Sequence, residues 1–284
     1  MDPGRRFAIG ATVLAAILWS SGGLFIKLLP QSAFTILFYR SFYANLVFLI
    51  IFRKSLFKIN RLSLISSLFY APLLISFVTA TKLTTSANAI FLQYTAPAFV
   101  LLLEPYFVRT KLSRINIITV IACLLGMCLF FTEQFSSPDN WLGIWLALFS
   151  GLILTGLLIS QKMNKPEFQT GAVFLGNILV CIFTIPWFID SPWPTVEEHF
   201  YLMILGFGQL GLGYALFIYG QKYLPAIESS LIAMLDPILN PVWVFIGYGE
   251  HPGYWAVVGG FIIIAALTLR LFWLEFHART NYPK

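Results

Sequence analysis

Apolar residues run along this chain in long blocks, not in the alternation of a strand or the single stripe of a surface helix. A bilayer-crossing helix needs about 20 mostly apolar residues. Ten stretches reach that length, at roughly 8–28, 33–52, 63–81, 84–105, 115–132, 141–161, 168–189, 200–221, 225–247 and 254–274. The pattern predicts an all-α integral membrane protein of ten transmembrane helices joined by short loops. It leaves almost nothing outside the bilayer and predicts no separate soluble domain.

The pattern also repeats. "TKLTTSANAIFLQYTAPAF" from Thr81 aligns without a gap on "QKYLPAIESSLIAMLDPIL" from Gln221, pairing Lys82 with Lys222 and Pro97 with Pro237. A weaker match sets "ILWSSGGLFIKL" in the first span against "LILTGLLISQKM" in the sixth. The chain therefore divides into two five-helix repeats, 1–135 and 138–284, that together make one membrane domain. An odd number of spans per repeat turns the second upside down relative to the first. Inverted repeats are characteristic of secondary transporters, which exchange two related shapes around a central site.

Composition agrees with the hydropathy. The 284 residues are 58% hydrophobic and 11% charged, with a mean hydropathy of +0.82. A soluble domain carries about 25% charged residues, so too few polar side chains remain to cover a water-facing surface. The net charge of +6 raises nucleic acid as a partner only until the basic residues are placed. Of 18 Lys and Arg, all but Lys27, Lys82 and Arg40 fall on the N-terminal side of the bilayer. The positive-inside rule accounts for that and sets both termini in the cytoplasm. Arg5 and Arg6 precede an apolar stretch long enough to span, so the first helix reads as retained and not as a cleaved signal. Cys123, Cys128 and Cys181 all lie within apolar spans and suggest neither disulfide nor metal site.

The candidate chemistry is the set of polar residues inside the spans. Asp236 lies near the middle of the ninth. A charge there costs about 2.5–3.5 kcal/mol on insertion scales, so it should face protein or a water-filled cavity and have a partner. Asp236, Asn240 and Trp243 share one helical face. Pro237 and Pro241 cannot donate to the carbonyls of Ala233 and Pro237, and irregular backbone at this depth belongs in a bundle or cavity. Arg40, within the second span, is the expected partner of Asp236 or of a substrate carboxylate, with Tyr39 and Tyr43 on part of its face. Trp19 and Ser20 in the first span, Gln93 and Tyr94 before the kinking Pro97, and Gln209 and Tyr214 in the eighth complete the candidate substrate-binding set. The glycines around Gln209 favour close helix packing over phosphate binding. Glu104 and Glu228 are expected at the inner interface near Arg109 and Lys222, and the pseudo-symmetric Lys82 and Lys222 at headgroups, with a gating pair as the alternative.

These residues resemble the EamA-type branch of the bacterial drug/metabolite transporters. "AAILWSSGGLFIK", "FYRSFYANLVFLI", "SANAIFLQYTAPAFVLLLE", "YLPAIESSLIAMLDPILNPVWVFIGYGEHP" and "VVGGFIIIAAL" carry the resemblance in order across nearly the whole chain. It implies ten helices in two inverted repeats, a cavity lined mainly by the first four helices of each repeat, and peripheral fifth and tenth helices. It implies outward movement of small metabolites, often amino acids or amphipathic toxins. The family often has a glutamate after the fourth and ninth helices. Glu250 supplies the second, but Thr110 stands in place of the first.

The resulting expectation is a secondary transporter in the inner membrane that exports amino acids or similar amphipathic compounds by alternating access. Its partners would be the small-molecule substrate, the bilayer and protons as the candidate coupling ion, with no cofactor and no nucleic acid. A channel is the first alternative. An intramembrane enzyme is the second, disfavoured because His199, His251 and His277 all lie at loops or helix ends, away from any in-span nucleophile.

Overall fold

The computed structural model describes residues 3–108, 114–134, 141–221, 223–224, 229 and 232–281. Among these residues the chain is helix and connecting turn, with no strand. Eight helices are long and apolar enough to cross a membrane, and a shorter apolar helix covers Arg114–Leu129. The helices begin where short polar side chains take up their first free N–H groups. Ser32 accepts from Thr35 N–H, Asn60 from Ser63 N–H and Thr85 from Asn88 N–H. Thr195 and Glu198 form a reciprocal capping box.

The first span is two helices, α1 (Pro3–Ser20) and α2 (Gly22–Leu28). No proline marks this break. The Ser20 and Ser21 hydroxyls instead bond back to the carbonyls of Ile17 and Leu18, 2.8 and 2.7 Å away, just before a Gly-Gly pair. Next come α3 (Ala33–Phe52) and α4 (Arg61–Leu83). The fourth span is α5 (Ser86–Gln93) and α6 (Ala96–Val108), interrupted at Tyr94 and Thr95 just before Pro97. Then follow α7 (Arg114–Gln134), α8 (Trp141–Met163) and α9 (Pro166–Asp190). The eighth span is α10 (Val196–Met203), a π-helical stretch at Ile204–Leu212, and α11 (Gly213–Gln221).

The stretch expected as one helix over 225–247 is helical without a break only from Leu235. There α12 (Leu235–Tyr248) follows a turn at Met234 and passes through Pro241 uninterrupted. Residues 225–228, 230 and 231 lie outside the described residues. Gly249 ends α12 in the left-handed region, at φ 76°, which glycine adopts without strain. Finally, α13 is Tyr254–Asn281.

Packing relates the halves. The third span (α4) packs on the sixth (α8), and the first (α1) on α11 of the eighth. Likewise α4 packs on α9 while α3 packs on the π-helical stretch. The fourth span (α5, α6) meets α8, and the ninth (α12) meets α1 and α2. Exchanging the halves maps these contacts onto one another, and maps the pairs α3–α9 and α7–α13 onto themselves. Large apolar side chains such as Ile50 and Phe261 point away from the bundle, as a lipid-facing surface requires.

Candidate functional site

A cavity of about 230 Å³ lies at the centre of the bundle, next to the helix breaks. Trp19, Arg40, Gln93, Gln209, Tyr214, Asp236 and Asn240 line it. The structure thus brings seven of the sequence-expected residues to one chamber, from the first, second, fourth, eighth and ninth spans. The rest of the wall is chiefly apolar: Leu73, Leu74 and Phe77 on α4, Ile90 on α5, and Leu154 and Leu157 on α8.

Asp236 is buried, and its hydrogen-bond partner is a tyrosine. Tyr94 donates its hydroxyl to Asp236 Oδ2 at 3.0 Å, and the same hydroxyl lies 3.5 Å from the carbonyl of Ala233. That carbonyl is the one Pro237 cannot serve, so the tyrosine at the break in one half meets both polar groups exposed by the break in the other. No ion pair joins Arg40 to Asp236 among the described residues. Arg40 Nε donates to Gln209 Oε1 at 3.1 Å, and Gln209 Nε2 donates to the carbonyl of Trp19 at 3.2 Å. Gln209 stands in the π-helical stretch, whose wide turns depart from the 3.6-residue period. Arg40 Nη1 and Asp236 Oδ1 are buried and carry no hydrogen bond. Two opposite charges thus flank one small chamber, each with bonding capacity to spare.

The remaining expected residues support this shell. Asn240 accepts from Ser86 Oγ at 2.7 Å, and Trp243 Nε1 donates to Ser20 Oγ at 2.9 Å. These contacts bring the ninth helix against the break in the first span and the start of α5. Gly23 is part of the same contact, because a Cβ there would collide with Ser86 Oγ and Asn240 Oδ1. Pro237 is buried, and Pro97 and Pro241 lie within α6 and α12. Tyr39 and Tyr43 do not line the chamber. Tyr39 packs against Phe188 and His199, and Tyr43 against Phe207. Of the glycines around Gln209, Gly206 meets Tyr43, Gly211 meets Val47 and Gly213 meets Trp19, while a Cβ on Gly208 would only touch Leu18 at 3.9 Å.

The sequence matches the EamA-like transporter family twice, over residues 6–132 and 137–272. The chain belongs to the EamA-like transporter family. It is 22% identical over 265 residues to an uncharacterized transporter of Archaeoglobus fulgidus, covering 93% of this chain and 96% of that protein. It is 28% identical over 198 residues to the uncharacterized transporter YxxF of Bacillus subtilis, covering 66% of this chain and 62% of that protein. A crystal structure of a protein sharing 17% identity has the same fold, with a TM-score of 0.66 over 95% of this chain and 98% of that one. Family and relatives make this a multi-pass membrane transporter of small molecules.

Sequence reasoning missed Tyr70. Tyr70 lines the cavity from α4, and Asn177 on α9 donates to its hydroxyl at 3.3 Å. A lone tyrosine beside serines carries no signal of its own, but Asn177 in the facing span was a second in-span polar group that could have suggested a pair. Glu104 was expected near Arg109, which lies outside the described residues, as do Lys222 and Glu228. Its carboxylate pairs with Lys162 on α8. Lys82 donates to the carbonyl of Leu29 at 2.6 Å.

Proposed function

We propose that this transporter is a secondary exporter of small amphipathic metabolites, amino acids foremost, working by alternating access in a cell inner membrane. The supporting observation is the two-sided chamber. Polar groups on α1, α3, the π-helical stretch and α12 share the chamber with leucines and aromatics on α4, leucines on α8, and Ile90 and Gln93 on α5. A zwitterion would set its carboxylate at Arg40 and its ammonium group at Asp236, with its apolar body against Leu74, Phe77, Leu154 and Leu157. Tyr94, Gln93, Gln209, Tyr214, Asn240 and Trp19 complete the substrate-binding shell, and Ser20, Trp243, Tyr39 and Tyr43 support it. Ten spans in two inverted five-helix repeats, 1–135 and 138–284, account for the packing exchange between halves, with both termini cytoplasmic. The breaks before Pro97 and Pro237 are the hinges that such a motion needs.

The test is thermal stabilisation of the purified protein by amino acids, organic cations, nucleosides and sugar phosphates. A ligand at 100 times its Kd stabilises by about 2.7 kcal/mol. Stabilisation by zwitterions with apolar side chains, lost in both Asp236→Asn and Arg40→Gln, supports the reading. Stabilisation by cations alone that survives Arg40→Gln sinks it. Protons are the proposed coupling ion and Asp236 their carrier. Transport of the stabilising compound should depend on pH in the native protein and lose that dependence in Asp236→Asn. An unchanged pH profile removes Asp236 from coupling.

A further inference from the structure

Two ion pairs that the repeat relates lie towards opposite ends of the bundle. In the alignment of the first span with the sixth, Lys27 falls on Lys162, 135 residues later. Each ends its helix: Lys27 is in the last turn of α2 and Lys162 in the last turn of α8. Each ammonium group pairs with a glutamate of the opposite half. Lys27 meets Glu250 at 2.6 Å, and Lys162 meets Glu104. Glu250 directly follows Gly249, the left-handed end of α12, and Glu104 lies on α6. Those are the ninth and fourth spans, themselves partners in the repeat. The position matching Glu250 holds Thr110, so by residue position the repeat shows no second acid. Glu104 supplies it six residues earlier, about 9 Å along a helix.

Chain tracing puts the pairs at opposite ends. Lys27 Nζ also donates to the carbonyl of Thr84 at 2.7 Å, and Glu250 Oε1 accepts from Ser86 N–H at 2.7 Å. One pair thus sits where α4 ends and α5 begins. The fourth span then crosses the bundle, and Glu104 meets Lys162 at its far end. The basic residues mark that far end as cytoplasmic.

We propose that Lys27–Glu250 and Lys162–Glu104 are the outer and inner gate pairs of the transport cycle, broken in turn to open the chamber to one side and then the other. The proposal rests on the alternating-access reading. The pairs are unequal. Both side chains of the outer pair are largely buried, 12% and 15% exposed, whereas Lys162 is 54% exposed. Lys82 adds a further outer bond to the carbonyl of Leu29. Buried pairs are strongly destabilised by loss of one partner, and exposed pairs contribute little. The inner gate therefore opens more readily.

The experiment reads which side reaches the chamber. Cys123, Cys128 and Cys181 are replaced by alanine, Leu157→Cys is introduced as a probe, and the protein is inserted in sealed vesicles of each orientation. A sulfonated, membrane-impermeant thiosulfonate is added from outside. Glu250→Gln should raise labelling from the outer face at least about fivefold and leave the inner face unchanged. Glu104→Gln should raise labelling from the inner face only. The exchange Lys27→Glu with Glu250→Lys should restore outer closure. Hydrogen exchange of the same variants with native cysteines, read at residues 24–29 and 84–90 for the outer gate and 100–106 and 156–163 for the inner, provides a check independent of the probe. Unchanged labelling and exchange in both variants, or opening of the same side by both, overturns the gate assignment. Fast labelling from both sides before either gate is altered overturns alternating access itself and marks a continuous pore.

Discussion

The fourth span breaks at Tyr94 and Thr95, and the ninth is preceded by a turn at Met234, 140 residues after Tyr94. The backbones correspond, but their surroundings do not. In the first half, hydroxyls of neighbouring residues occupy the break. Thr95 Oγ1 donates to the carbonyl of Leu92, and Thr155 Oγ1 on α8 to that of Ala96 at 3.2 Å. In the second half, the position of Ala96 is taken by Asp236, and the tyrosine that meets it comes from the first half. The same inequality holds around the chamber. Trp19 in the first span corresponds to Leu154 in the sixth, and Tyr214 in the eighth to Leu74 in the third, and all four line the cavity. Duplication supplies a backbone with two related shapes. Divergence then sets the two halves apart, with Asp236 where the first half has Ala96, and Trp19 and Tyr214 opposite Leu154 and Leu74 in the repeat.

The sharpest way to break this comparison is to give the second half the first half's residue. Asp236→Ala removes a charge whose hydrogen bonds are worth about 1.5–3 kcal/mol. Transport of the compound found by thermal stabilisation should fall about 10- to 100-fold, with the protein still folded by size-exclusion chromatography. The counterpart Ala96→Ser, buried against Thr155, should change transport less than about twofold, because a hydroxyl there can bond back to its own helix. Equal losses in the two variants would mean that both breaks contribute equally to binding, and the asymmetry would carry no function.

Tyr94→Phe separates the hinge from the charge. It keeps the ring and removes the hydroxyl shared between Asp236 and Ala233. The expected result is about a 10-fold weaker stabilisation by zwitterions, with a smaller loss for compounds lacking an ammonium group. A uniform loss across the panel would show that Tyr94 serves only to hold the helix.

Much of this arrangement was legible before any coordinates. Apolar runs place the helices, because nothing else can satisfy backbone groups in lipid. Pro97 and Pro237 mark two breaks through their missing N–H groups. The break at Ser21 was not legible, since serine back-bonding and a Gly-Gly pair occur in many unbroken helices. The partner of Arg40 was missed for a specific reason. A 3.6-residue period cannot place a side chain that follows wide π-helical turns, and Gln209 lies within them. Tyr39 and Tyr43 were assigned from neighbourhood with Arg40, but each sits far enough round α3 to reach the rings of Phe188 and Phe207 instead. Glu104 and Lys162 were readable as charges and not as a pair, because 58 residues separate them and only the fold closes that distance.

The smallest expected effect concerns the support beneath the charged wall. Trp243 Nε1 donates to Ser20 Oγ, and that hydroxyl bonds in turn to the carbonyl of Ile17. Trp243→Phe keeps an aromatic ring in place and removes the donor. A neutral hydrogen bond contributes about 0.5–1.5 kcal/mol, so the melting temperature should fall by a few degrees while zwitterion selectivity stays intact. In the other half Thr155, the counterpart of Ser20, ties α8 to the carbonyl of Ala96 at 3.2 Å, and α8 runs unbroken from Trp141 to Met163. If Trp243→Phe instead altered selectivity without lowering stability, the indole would belong to the binding surface. The first span would then depend on substrate, and not on Trp243, to hold its break closed.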